Sequence, residues 1–167
     1  VVAMADIPGV MDPSDAKDFK VVEASVDVDR PKSMAEILMQ YPGLQSASEE
    51  AQVDALRDLF LACYSEADQL QEIGGYLAQM MFQGTVRVRR GALEAWANLV
   101  DNRVRPEHLQ VLFQFAGMPA LDEDTFEQVV IAACKFAEEG ALPLVQQLVR
   151  HPDVSVRRNV ANNLRFN

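Results

Sequence analysis

The sequence predicts an all-α protein, about four helical hairpins stacked side by side as an α-solenoid and preceded by an extended arm. Three observations carry that expectation. The stretch "HPDVSVRRNVANNL" reads as a helix with a narrow apolar stripe of Val156, Val160 and Leu164, with Ala161 between turns. Looser copies of the pattern lie upstream, with anchors at positions 52, 88, 126 and 156. Their spacings of 36, 38 and 30 residues fall in the period range of hairpin arrays. Each copy is preceded by a second amphipathic segment that can fold back against it.

Residues 1–30 lie outside the repeat. "MDPSDAKDFK" is polar and turn-rich, while Val22, Ala24, Val26 and Val28 alternate with Glu23, Ser25 and Asp27 as in a short strand or extended arm. A strand needs a partner edge, and the remaining chain offers none. The segment is therefore either a flexible tail or an arm that docks on its own array or on another chain.

Residues 31–167 make up the array. In the first hairpin "SMAEILMQY" precedes "EEAQVDALRDLFLACY", which puts Leu56 and Phe60 on core positions behind a weak anchor, Gln52. In the second, "SEADQLQEIGGYLAQMMF" opens with Ser65 and Asp68 in capping-box-like spacing and is loosened by Gly74-Gly75. Its partner "QGTVRVRRGALEAWANLV" sets Val88, Ala92 and Trp96 on Val156, Val160 and Leu164 at an offset of 68 residues. In the third, "PEHLQVLFQFA" has Pro106 suited to a first helical turn. It precedes "DTFEQVVIAACKFAEEG", with Phe126, Val130 and Cys134 in the stripe. In the fourth, Leu144, Val145, Leu148 and Val149 stripe "LPLVQQLVR". Pro152 then disfavours helix at His151, and Asp153 can cap the final helix.

Composition narrows the function. Apolar residues make up 49% and charged residues 24%, which fits a folded globular chain rather than a disordered one. No apolar run approaches the ~20 residues that span a bilayer. The first residues lack a basic leader, and Val1 is no ordinary initiator, so the chain reads as processed, tagged or cut from a longer one. Cys63 and Cys134 each sit within an apolar helical pattern, as small core residues in a reducing compartment, and cytoplasm is the default. Two thiols and two distant histidines make no metal-ligand spacing. The net charge of −10 argues against nucleic acid and anionic membrane as general partners. It is unevenly spread: −7 over residues 35–82, +2 over 83–121, −5 over 122–140 and +3 over 141–167. Neighbouring acidic and basic helices would then attract one another within the fold.

The residues of "HPDVSVRRNVANNL" resemble the second half of a HEAT or HEAT-like repeat, in which Asp, then Val-Arg, then alanine and leucine recur at helical intervals. The resemblance is closest in the fourth hairpin, fair in the second and faint in the first and third, and it runs over about residues 33–165. It implies a right-handed α-α superhelix that binds other macromolecules along a concave face. It also implies a ladder between neighbouring repeats at the Asp and Arg positions. Asp153, Arg157 and Arg89 hold those positions, whereas Glu127 departs from them. "VRRNVANNL" is also similar to the helical-repeat DNA glycosylases that remove alkylated bases, which hold duplex DNA in a basic groove carrying aromatics and a carboxylate. Against that stand the net charge and the lack of an aromatic–acid–arginine set assignable to one face. The bilin-lyase-like branch of HEAT repeats shares the repeat patterning alone.

A stack of hairpins sets equivalent positions side by side. Side chains two, six and ten places after each anchor form three rows: Asp54, Arg90, Gln128 and Arg158; Asp58, Glu94, Ala132 and Asn162; Ala62, Asn98, Phe136 and Phe166. Arginine and aromatics are enriched at interaction hot spots, so Arg90, Glu94, Asn98, Gln128, Phe136, Arg158, Asn162 and Phe166 are the candidate partner-binding residues. Phe136 and Phe166 have a second reading as cover for the edge of the core. Trp96 falls on a core position, and His108 and His151 lie near helix starts with no nucleophile on a matching face. The expected protein is a non-enzymatic interaction module or scaffold without cofactor, binding another protein. Its last repeat ends at "RFN" with no polar cap, which leaves self-association through that end open.

Overall fold

The computed structural model describes residues 29–165, and their regular structure is entirely helical. Eight α-helices occur among the described residues: α1 (Met34–Gln40), α2 (Glu49–Glu66), α3 (Gly74–Gln83), α4 (Val86–Val100), α5 (Pro106–Ala116), α6 (Glu123–Lys135), α7 (Leu142–Leu148) and α8 (Val154–Leu164). The alternating segment expected as an arm, 22–28, lies outside the described residues.

Local chemistry accounts for most helix starts. Ser33 opens α1 with a reciprocal pair: the Glu36 N–H donates to Ser33 Oγ (3.3 Å) and the Ser33 N–H donates to Glu36 Oε2 (2.7 Å). Helix α5 begins at Pro106, where a missing N–H costs nothing, and the Arg105 N–H donates to His108 Nδ1 at 3.1 Å. Asp153 caps α8 by accepting from the Ser155 N–H and hydroxyl, both at 2.8 Å.

The second hairpin begins later than expected. Ser65 caps nothing and belongs to the last turn of α2; a short 3-10 turn at Gln71–Ile73 follows, and α3 starts at Gly74. Two adjacent glycines are poor helix interior, so they fall at its first turn rather than in its middle. Before α7 the chain makes one π-type turn, Ala137–Ala141, in which Gly140 takes φ 127°. An L side chain rarely adopts that conformation, and a Cβ there would lie 2.7 Å from Leu109 Cδ1.

Helices α2, α4, α6 and α8 pack against one another in chain order, while α3 lies on α4, α5 on α6, and α7 on both α6 and α8. Gly91 permits the close approach of α4 to α2, since a Cβ there would meet Leu56 Cδ1 at 3.3 Å. The expected stripe of Val88, Ala92 and Trp96 is buried, as are Val156 and Val160, whereas Leu164 is 44% exposed. Nothing among the described residues packs beyond α8 on that side. Trp96 is 1% exposed and meets the rings of His108 and Phe136 edge-on, at 6.1 and 6.3 Å.

Polar contacts link neighbouring elements in the way the charge blocks anticipate. Arg87 pairs with Glu49 (3.2 Å), Arg90 with Asp124 (3.3 Å), Arg103 with Asp68 (2.7 Å) and Lys135 with Asp101 (3.1 Å). Each is solvated, so its worth is about 0.2–1 kcal/mol. The ladder expected between repeats at Asp153 and Arg157 does not form. Arg157 Nη1 instead donates to the carbonyls of His151 (2.5 Å) and Pro152 (2.8 Å), the turn before its own helix. Arg89, its counterpart in the second hairpin, makes a longer contact to the Phe82 carbonyl (3.5 Å). These arginines close hairpins rather than join them.

Hydrogen bonds from Ser155 hold the Asp153 carboxyl below the usual carboxylate range, and His151 and Arg157 assist. A depressed folded value means that this cap stabilises above the ordinary carboxylate pKa and is lost as pH falls through the folded one. Thermal melts of wild type and Asp153→Asn should therefore differ by a constant amount from pH 7 to about 5, and the difference should shrink below about pH 4.

Candidate partner-binding surface

The even-numbered helices share an exposed side on which two clefts adjoin. One, of about 370 Å³, runs between α2 and α4 and is lined by Val53, Leu56, Arg57, Phe60, Arg87, Arg90, Gly91 and Glu94. The other, of about 230 Å³, reaches from α2 over α4 to α6, along Phe60, Tyr64, Glu94, Asn98, Gln128, Ile131 and Lys135 among others. Phe60 and Glu94 border both, so the two form one groove across three helices.

Four of the expected residues come together here: Arg90, Glu94, Asn98 and Gln128. Arg90 donates through Nε to Glu94 (3.2 Å) and through Nη1 to Asp124 (3.3 Å), which fixes its guanidinium between α4 and α6. Asn98 accepts from Lys135 Nζ at 3.2 Å, while its Nδ2 is enclosed without an acceptor. Arg158 and Asn162 are exposed on α8 but border neither cleft. Phe166 lies outside the described residues.

Phe136 is not on this surface. It is 0% exposed, against Trp96, and so takes the second of its two readings, core rather than contact residue. The cause is geometric. Helix α6 ends at Lys135, and the backbone at Phe136 (φ −98°, ψ 16°) leaves the helical path and turns the ring inward. A position ten places after the anchor therefore does not stay on the outward face.

The aromatics that do line the groove are Phe60 and Tyr64, packed edge to face at 5.3 Å, with Tyr64 70% exposed. The aligned pattern put Phe60 on a core position. The structure buries Ala55, Leu56, Leu59 and Cys63 instead, which rotates Phe60 to the groove's edge. The readable signal was surplus: Phe60, Leu61 and Tyr64 give α2 more apolar side chains than one buried stripe accommodates. With Arg90 and Glu94 nearby, an aromatic, an acid and an arginine do share one face here. The cations lining the groove nonetheless all have carboxylate partners: Arg57 with Asp54, Arg87 with Glu49, Arg90 with Glu94 and Asp124, Lys135 with Asp101.

His108 sits against Trp96; burial lowers its pKa, Glu107 opposes that and Arg105 adds to it. Burial, with Glu66 adding, pushes the Cys63 thiol up to about 12, so it stays protonated and inert at neutral pH. No group of His, Cys, Asp and Glu among the described residues could hold a metal ion. No helix of the described residues is long and apolar enough to cross a membrane. Comparison with protein-family models, curated proteins and solved structures returned no match.

The burial of Phe136 and the exposure of Tyr64 have a measurable consequence. In urea denaturation, Phe136→Ala should cost about 3–5 kcal/mol, as a large core deletion does. Tyr64→Ala should cost no more than about 1 kcal/mol, its share of one exposed ring contact. The Cys63 thiol should react with a disulfide reagent at pH 8 only as fast as the chain unfolds. Rapid modification of the folded protein would contradict its burial.

Proposed function

We propose that the chain is a non-enzymatic protein-binding module, a short HEAT-like α-solenoid that holds a protein partner in the groove formed by α2, α4 and α6. The observation that carries this reading is the Phe60–Tyr64 pair, in which the Tyr64 ring is left to solvent and the half-buried Phe60 borders the groove beside Arg90 and Glu94. An exposed aromatic costs solubility unless something covers it, and a rigid aromatic ring next to an arginine is typical of interface anchors. The ordered packing of α2, α4, α6 and α8 supports a stack of hairpins, in which a partner would meet several helices at once.

A DNA-repair enzyme is the weaker reading. Phosphate binding draws on cations that are free to release counterions, and those of the groove are engaged with carboxylates in a chain of net charge −10. The buried thiols accord with a reducing compartment.

The test pairs affinity capture with a binding control. Wild type and a Tyr64→Ala/Arg90→Glu variant, matched by circular dichroism, are used to recover proteins from a cell extract. A partner retained by wild type and lost by the variant supports the groove; identical recovery by both refutes it. Fluorescence anisotropy on a 20-base-pair duplex in about 150 mM salt should show no binding, and saturable binding there would move the reading to the repair class.

A further inference from the structure

The third hairpin breaks a rule that the second and fourth obey. One place after the anchor, Arg89 and Arg157 reach back to main-chain carbonyls five to seven residues earlier: Phe82 for Arg89, His151 and Pro152 for Arg157. The Arg157 guanidinium lies over the turn before its own helix, and that of Arg89 reaches the last turn of α3. The corresponding place in the third hairpin is Glu127, which has no proton to donate. The residues seven and six places before it are Ala120 and Leu121. Ala120, Leu121 and Glu127 all border a cleft of about 450 Å³ between the start of α6 and the start of α8.

Carboxylates outnumber basic side chains in the lining of this cleft. Phe126, Val130 and Val156 supply apolar wall. Glu123 and Glu127, one helical turn apart on α6, have no ion-pair partner among the described residues, and Asp153 stands on the α8 side. No lysine or arginine lines it; the one basic side chain present, His151, lies beside Phe126 at 5.5 Å and uses Nδ1 to accept the Asp153 N–H. The turn is held in an unusual shape, with Ala120 at φ 57°, the region that favours glycine.

We infer that this cleft receives an arginine side chain from a partner peptide, its guanidinium taking the place that Arg89 and Arg157 fill from within the chain. Glu127 and Glu123 supply the charge and the turn supplies the carbonyls, acceptors that suit a planar fork of donors better than a point charge. Phe126 offers a ring face to the cation, and the remaining volume takes an apolar neighbour of the arginine. Residues 1–28 do not supply it, since they contain no arginine and carry six acids against two lysines. The site lies apart from the α2–α4–α6 groove and does not depend on it.

The experiment is a titration of ¹⁵N-labelled protein with Ac-Leu-Arg-Leu-NH₂ and with the same peptide carrying citrulline, the uncharged isostere of arginine. The arginine peptide should give saturable shifts at about 1–10 mM, confined to the amides around Leu121, Glu127, His151 and Ser155, and the citrulline peptide should bind about tenfold more weakly. Glu127→Gln should lose about as much. Glu127→Arg should supply the arginine internally, raise the melting temperature and abolish peptide binding. Equal binding of the two peptides, shifts elsewhere, or no saturation would each overturn the assignment. So would unchanged binding by Glu127→Gln, which keeps the test open if Glu127→Arg fails to fold.

Discussion

The packing of the Trp96 ring is the contact on which the neighbouring elements depend. Helix α4 touches α2, α3 and α6, and the indole on its inner side is closed by His108 from α5 and by Phe136 just past the end of α6. Closing that contact requires α6 to stop at Lys135 so that the next residue can turn inward. The turn in turn requires Gly140, since an L side chain would strain at φ 127° and strike Leu109. One aromatic contact thus sets the length of α6, the π-type turn after it and the start of α7. It also decides the groove, because the ring taken for the core is one the surface does not have.

The charge pattern has a comparable economy. Part of the alternating acidic and basic charge is joined in pairs between neighbouring elements, such as Arg87–Glu49 and Arg90–Asp124. Solvated pairs of this kind add little stability. They do set the character of the groove: its cations are held, oriented and offset by carboxylates, which leaves aromatic area as the main unspent attraction. A partner that displaces Asp124 from Arg90 gains an arginine already positioned between two helices. The α6–α8 cleft is the opposite case, with carboxylates left over and no cation of the chain to meet them.

Equivalent positions in the later helix pairs carry different chemistry. In the fourth hairpin Arg157 ties the turn to the helix, in the second Arg89 does so more loosely, and in the third Glu127 leaves the turn untied and a cleft open.

Local chemistry alone determined a good deal of this protein. All-helical structure, the start of α5 at Pro106, the cap at Asp153 and the burial of Val88, Ala92, Trp96, Val156 and Val160 follow from periodicity and from the hydrogen-bonding needs of helix ends, which act over a few residues. Tertiary packing decided the rest. Whether Phe60 or Leu59 enters the core depends on how α2 rotates against α4, and Gly91 lets those helices approach closely. Phe136 turns inward because Trp96, forty residues away in sequence, leaves an aromatic surface for it to cover. Arg157 bonds the His151 and Pro152 carbonyls of the turn before its own helix. Such choices are made between surfaces that are remote along the chain, and a helical period specifies which side of a helix is apolar without specifying what that side will meet.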